Sequence, residues 1–413
     1  MDRNEILICL QRILKMNKTK ISATIVADSL SPQGDRLTSL LVTFPRIILA
    51  EVNTHRMLSK NTSSSRAIPF EKMVEAVQND PFIPIAWQKH HSGMQGNEYI
   101  TDQKIIDFKK GVWINNMYKA VKGAEELYYP VSQARSMTDI KEIPDTGVTK
   151  QLCNRLLEPF MWTTMLITGS KEGWDNFFKL RCPQYEHTNW VTQDNYGKAQ
   201  YSKSKKDYVT IETGGHYHED LKEKQFADYN WLQINRGQAE IHIMDLAEKI
   251  YDAMNESKPT QLKSGEWHIP FGENINNDGG KFVRFMMDST KNRQLHTYLD
   301  GTGEVDMTKV KVSIAMAART SYTVVGEEKG LDYKALIGLH DRLIAQDPPH
   351  SSPMEHCARA MTNDEYTTFI KGECTKAMLE EDHIIAPVLT EGWCRNFKGF
   401  IQYRHIVESG LKI

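Results

Sequence analysis

The chain has 413 residues, 40% of them apolar and 25% charged, which is the balance of a folded protein and excludes a disordered or fibrous one. A formal net charge of −2 supplies no overall field to gather a polyanion such as DNA. Any anionic ligand must therefore be held by a local cluster, within one large domain or two medium ones.

Six cysteines (Cys9, Cys153, Cys182, Cys357, Cys374, Cys394) are spread over the whole length without a CxxC pair, which fits a reducing compartment. No apolar run reaches the roughly 18 residues that a membrane span needs, and the opening MDRNEILICLQRILKMNK carries charges inside its apolar patch. The expectation is a cytoplasmic protein without a targeting or membrane segment.

In chain order, SLLVTF (39–44) reads as a strand that ends at Pro45. PRIILAEVNTHRMLS then carries the apolar spacing of a helix, with proline at its start. From Asn61 to Ser65 five consecutive side chains compete with the backbone for hydrogen bonds, which predicts a loop. Residues 105–130 and 150–181 read as amphipathic helices, the second interrupted at Pro159. Between Cys182 and Arg236 the periodicity fades into a polar, lysine-rich segment, expected to be an insertion or flap of about 182–236. Helical spacing returns in AEIHIMDLAEKIYDAM (239–254), and turn formers crowd 258–280, with a boundary expected near 270–290. In the last third KVKVSIAMAARTSY predicts a strand entering a helix, DYKALIGLHDRLIAQ a helix, and HSSPMEHCARAM a loop leading to a strand.

The stretch VNTHRMLSKNTSSSRA (52–67) concentrates the polar chemistry. Arg56 and Arg66 are fixed cations, and the Ser/Thr/Asn run offers hydroxyls and backbone NH groups, a set suited to phosphate or another anion. The same composition also describes a merely solvated serine-rich loop.

The spacing of His55-Arg56, Ser59, Asn61, Ser64 and Arg66 resembles the signature of the flavin-dependent thymidylate synthases, an Arg-His-Arg triplet followed after seven residues by serine. Two positions depart from it: Thr54 stands for the first arginine, and Thr62 for the acidic residue after the asparagine. NRLLEP with Arg155, followed by NFFKLR with Asn176, Leu180 and Arg181, resembles the family's nucleotide-binding helix. Gln238-Ala239-Glu240-Ile241 resembles a further family sequence, displaced here by the insertion. AARTSY (317–322) and HSSPMEH (350–356) resemble the two segments that complete the flavin site, and NFKGFIQYRH (396–405) resembles the helix leading into the signature. In the family those segments precede the histidine-arginine motif, whereas here they follow it. The chain thus resembles a long form with rearranged motif order.

The resemblance implies an α+β fold of mixed helices and antiparallel sheet, with a nucleotide/flavin region over 1–280 and a second region over 281–413 completing the flavin site. It implies methylation of dUMP to dTMP with FAD, NADPH as reductant and methylenetetrahydrofolate as one-carbon donor, in a homotetramer. Ser64, Arg66, Arg155, Leu180 and Arg181 would hold dUMP, with Arg181 catalytic by drawing electron density onto the uracil oxygen. His55, Arg56, Asn61, Asn176, His350, Ser352 and Glu355 would line the flavin, whose redox chemistry makes a protein nucleophile unnecessary. Read without the resemblance, Arg155 and Arg181 are also plausible surface helix arginines, and His350 and His356 structural histidines.

Other readings carry less of the sequence. Cys182, His187, His216 and His218 are a conceivable zinc set, but their spacing lacks the paired ends of such sites, and no metal is expected. Cys182 beside Pro183 has the look of a nucleophilic cysteine, although a thiolate needs a local cation field. Nucleic-acid binding through KAQYSKSKKDY has four lysines behind it and no overall positive charge. A dUMP hydroxymethylase on the same scaffold, or a non-catalytic nucleotide or flavin-binding module, are the alternatives to the synthase.

Overall fold

The structure, a computed structural model, describes residues 19–93, 96, 98–130, 146–188, 199–212, 230–272, 307–325, 332–370 and 396–408. Its centre is a five-stranded sheet in the order β3-β4-β2-β1-β7. The strands are β1 (Ser22–Leu30), β2 (Arg36–Pro45), β3 (Ser59–Thr62), β4 (Trp162–Ser170) and β7 (Thr260–Gln261), all antiparallel to their neighbours except the parallel pair β1/β7. Two smaller sheets accompany it. One is the hairpin β5 (Tyr185–Thr188) with β6 (Ala199–Ser202), and the other, ordered β10-β9-β8, joins Phe400–Gln402, Ala358–Ala360 and Trp267–His268.

Alternation along β2 and β4 gives the central sheet two unlike faces. Leu40, Val42 and Phe44 of β2 and Met165 and Ile167 of β4 point to one face. There they meet Trp174, Phe177 and Phe178 of one helix (Lys171–Arg181) and Ile243, Leu246, Ala247 and Ile250 of another (Ile241–Glu256). The opposite face mixes Leu41 and Leu166 with the buried hydroxyls of Ser39 and Thr168. It is covered by the C-terminal third, through a buried helix (Met307–Arg319) and the β8–β10 sheet. A third apolar cluster lies beside the sheet, where Phe70, Met73 and Val77 of one helix (Phe70–Asn79) pack on Ile114, Met117 and Val121 of a long helix (Gln103–Tyr128) and on Leu157 and Phe160.

In chain order these helices are α1 (Leu49–Asn53, preceded by a 3-10 turn Arg46–Ile48), α2 (Phe70–Asn79), α3 (Gln103–Tyr128), α4 (Lys150–Cys153, continued as 3-10 over Asn154–Phe160) and α5 (Lys171–Arg181). They continue with α6 (Lys205–Glu212), α7 (Asn230–Ile234), α8 (Ile241–Glu256), α9 (Met307–Arg319), α10 (Tyr333–Ala345), α11 (Asn363–Ile370) and α12 (Tyr403–Glu408). The fold is α+β, as expected. Among the described residues no helix is long and apolar enough to cross a membrane.

Three expectations about elements are corrected, and a fourth segment is described in part. The helix read through 150–181 is interrupted by nine residues of central strand, β4, because Thr163, Thr164, Ile167 and Thr168 are β-branched and the strand is buried along most of its length. The strand read at the start of KVKVSIAM is helical: α9 buries Val310, Val312, Ser313, Ile314 and Ala315, so its alternation carries no facial meaning. The loop read at Asn61 to Ser65 begins as β3, since Ser59 and Asn61 pair with Thr168 and Leu166 of β4. The described part of 182–236 is packed in place: Tyr185 donates to Glu248 at 3.3 Å, and Lys205 reaches the same carboxylate through its backbone N at 2.6 Å and its Nζ at 3.0 Å. A glycine matters where β10 begins: Gly399 has φ +80°, and a Cβ there would stand 2.8 Å from Asp35 Oδ2.

Candidate functional site

The short edge strand β3 organises the site, because its alternation sends neighbouring side chains to opposite faces of the sheet. Lys60 falls on the face of α5, and Ser59 and Asn61 fall on the face covered by the C-terminal third. At its two ends lie the His55 turn and the loop 63–68, separated by roughly 13 Å of strand.

At the first end α1 stops at Thr54 and delivers His55 into the sheet. The imidazole is 5% exposed and meets Phe177 edge-on, with ring centroids 4.8 Å apart. Arg181, on the last turn of α5, donates from Nε to His55 Nε2 at 3.0 Å and from Nη2 to Thr54 Oγ1 at 3.3 Å. Thr54 in turn donates its hydroxyl to the Glu51 carbonyl at 2.6 Å. Burial, then the adjacent Arg181 and Lys60 charges, lower His55 to a pKa of about 4, so its Nε2 is a free acceptor for the guanidinium. Lys60 donates its Nζ to the His55 carbonyl; burial lowers it to about 8 against the opposing pull of Glu355.

On the other face Asn61 Nδ2 donates to the Ala317 carbonyl at the end of α9. Its Oδ1 accepts from Ser321 Oγ and from Ser352 Oγ, each at 3.5 Å. Ser352 opens the 3-10 turn Ser352–Glu355, and Glu355 is ion-paired to Arg404 at 2.5 Å. Gln402 ties the turn to the strand by donating to Ser59 Oγ at 3.2 Å and to the Glu355 carbonyl at 3.3 Å. The segments 317–322, 350–356 and 396–405, remote from His55 in sequence, therefore converge on β3.

Beneath them runs a buried polar chain. Ser29 Oγ contacts His268 Nδ1 at 2.9 Å, His268 Nε2 contacts Ser39 Oγ at 2.8 Å, Ser39 Oγ contacts Thr168 Oγ1 at 2.5 Å, and Thr168 Oγ1 contacts His356 Nδ1 at 2.8 Å. Burial lowers His268 to about 4 and His356 to about 3, so both rings are neutral links in the chain.

At the far end of β3 the loop is held by its carbonyls. Arg46 Nη1 donates to the Ser63 carbonyl at 3.0 Å, Asn154 Nδ2 to those of Ser65 at 2.7 Å and Ile68 at 3.2 Å, and Lys150 Nζ to that of Ala67 at 3.0 Å. The backbone NH groups expected to be open to an anion are mostly engaged. Ser63 donates to Thr164, Ser64 to Ser321 at 2.7 Å, Ala67 and Ile68 to the Ser64 carbonyl, and Arg66 to Ser64 Oγ at 3.3 Å. Side chains are what the loop offers. Arg66 is exposed, and Arg155, 53% exposed, pairs with Glu158 at 3.3 Å.

Of the expected site residues, His55 and Arg181 touch each other, as do Asn61 and Ser352, while Ser64, Arg66 and Arg155 share the loop region with Glu158. Glu355 stands beside Arg404. Arg56, Asn176, Leu180 and His350 are exposed, and among the described residues no side-chain hydrogen bond or ion pair joins them to the others. Lys60, Arg46 and Glu158 were not singled out by spacing; Lys60, lying inside the motif between Ser59 and Asn61, was the most accessible of them to sequence reasoning. Cys182 is buried and its thiol is pushed up by desolvation, the reverse of a reactive thiolate. His216 and His218 lie outside the described residues.

No family model and no curated protein matches the chain. Among solved structures it is similar to UMP/dUMP methylase PolB from Streptomyces cacaoi bound with 5-Br UMP, at 13% identity and TM-score 0.29 over 41% of this chain and 80% of that one. The same protein bound with 5-Br dUMP gives 11% identity and TM-score 0.29 over 40% and 79%. At that identity and score, the reading of the site rests on its own residues.

Proposed function

We propose that the protein is a flavin-dependent thymidylate synthase that methylates dUMP to dTMP, with NADPH as reductant and methylenetetrahydrofolate as carbon donor. One observation carries the reading: segments that stand in reversed order along the chain meet on β3, where Asn61 bonds Ala317 and Ser352 and the Ser64 backbone N bonds Ser321. That meeting supports one site built from motifs in rearranged order.

The donor set suits FAD. Arg56 and Arg66 are exposed without a carboxylate partner among the described residues, and hydroxyls and amides of Asn61, Ser321 and Ser352 line the adjoining edge. His55, Arg56, Asn61, Asn176, His350, Ser352 and Glu355 would hold the flavin, which supplies the redox chemistry when bound. Ser64, Arg66 and Arg155 would bind the dUMP phosphate, with Leu180 against the nucleotide. Arg181, oriented by His55 and Thr54, would hold its guanidinium at the uracil and favour negative charge on the ring oxygen. Each anion is met by a local cation, as a chain of net charge −2 requires. A homotetramer is the assembly proposed.

The test is an absorbance spectrum of the purified protein with FAD, followed through addition of NADPH with and without dUMP, and mass analysis of the product. Bound flavin, bleaching by NADPH and a methylated nucleotide are expected. A protein that stays colourless in excess FAD would refute the enzyme, and a hydroxymethylated product would replace the synthase by a hydroxymethylase.

A further inference from the structure

Glu158 is an acidic side chain of the loop cluster, and three polar groups gather at a single one of its oxygens: two donate hydrogen bonds, and the enclosed Arg46 Nε is ion-paired without completing one. Ser65 Oγ donates to Oε1 at 2.7 Å, Arg46 Nε lies 3.1 Å from it and Arg155 Nη1 lies 3.3 Å from it. Ser65 is 1% exposed, and the Arg46 side chain 9%. Two guanidiniums face one carboxylate, which leaves a surplus positive charge, and Lys150 on the Ala67 carbonyl and the exposed Arg66 add to it. The arrangement of two arginines and a buried hydroxyl around one anionic oxygen is that of a bound oxyanion, with a side chain in the ligand's place.

We propose that Glu158 is a built-in substitute for phosphate: it occupies the loop's anion donors in the free protein and is displaced by a phosphate monoester dianion. The proposal rests on the nucleotide reading of this loop and adds to it a means of selection. A phosphate monoester brings nearly two charges and three acceptor oxygens, so it can take Ser65, Arg46 and Arg155 on separate oxygens, where the carboxylate crowds them on one. A nucleoside without phosphate brings nothing to exchange for the carboxylate. Glu158 has room to leave, being 25% exposed within the 3-10 segment Asn154–Phe160, while Arg46 is fixed by its backbone N on the Met161 carbonyl at 2.9 Å and its Nη1 on the Ser63 carbonyl.

The experiment is calorimetric titration of inorganic phosphate, and separately of dUMP, into the flavin-free wild-type protein, Glu158→Gln and Glu158→Asp, with folding checked by circular dichroism. Removal of the competing charge is expected to tighten phosphate and dUMP binding by roughly two- to fivefold in Glu158→Gln. The shorter Glu158→Asp, which keeps the charge, should fall between it and the wild type. Deoxyuridine should gain nothing from either substitution. A folded variant of either kind that binds phosphate no more tightly than the wild type overturns the proposal and leaves Glu158 as a counter-ion of Arg46. Tighter phosphate binding without any binding of dUMP would sustain the exchange and defeat the nucleotide reading.

Discussion

Arg181 can direct its Nε at His55 Nε2 because that nitrogen carries no proton. Burial and the Arg181 and Lys60 charges hold the imidazole at about 4, so His55 is neutral throughout the physiological range. Ring-carbon NMR shifts of His55 are accordingly expected to stay flat from pH 5.5 to 8, and a midpoint near 6.5 would contradict the geometry. Arg181→Ala removes one of the charges that lower His55, so its pKa should climb toward the ordinary 6.5 while burial still holds it below. In the proposed enzyme the same substitution should abolish turnover and leave FAD bound; a colourless Arg181→Ala variant would instead place the arginine in flavin binding. Thr54, where the motif departs from the family triplet, belongs to this small assembly. Its hydroxyl accepts from Arg181 and donates to Glu51, a pair of roles no arginine could fill.

The elements β3 and β4 decide how much the sequence could disclose. Thr168 of β4 links Ser39 to His356, so Thr168→Val keeps the shape and leaves two buried polar groups without their bond. A loss of about 2–3 kcal/mol is expected from the urea midpoint, larger than for a surface threonine; a loss under about 0.5 kcal/mol would mean the chain contributes little to stability. Much of the fold was legible: the strand β2, the helices α3, α8 and α10, and the turn before β9 follow from periodicity and proline, whereas His55, Asn61, Ser64 and Ser352 were singled out only through the resemblance to a family. β4 was hidden because its apolar run, buried on both faces, has no alternation to separate it from the helical windows on either side. α9 was hidden for the opposite reason, since burial around most of its circumference made a helix look alternating at its start. Arg46 and Glu158 were invisible because their partnership is made by tertiary contact, 112 positions apart, and no local spacing records it.

Across the whole molecule, the buried neutral histidines set the acid limit. His268 and His356 are wholly enclosed and lowered to about 4 and about 3, whereas in the unfolded chain both titrate near 6.5. Below 6.5 the unfolded state therefore binds more protons, so stability is complete above that pH and falls as pH drops toward 4. Each histidine contributes a slope approaching about 1.4 kcal/mol per pH unit. Urea midpoints measured from pH 7 down to 4.5 should decline steadily, and the decline should be shallower in His268→Gln; an unchanged slope would assign the acid sensitivity to other groups.

The meeting of Asn61 with Ser352 has a consequence in time. The two residues are 291 positions apart, and a ribosome adding about 5–20 residues per second takes roughly 15–60 s to travel between them. Until Ser352 is made β3 lacks that part of its C-terminal cover, and once β4 has followed it the Thr168 hydroxyl still awaits His356. The candidate site is among the last parts to be completed, so a stalled or truncated product that has lost the final third keeps the motif but lacks the Ser321 and Ser352 segments that bond to Asn61.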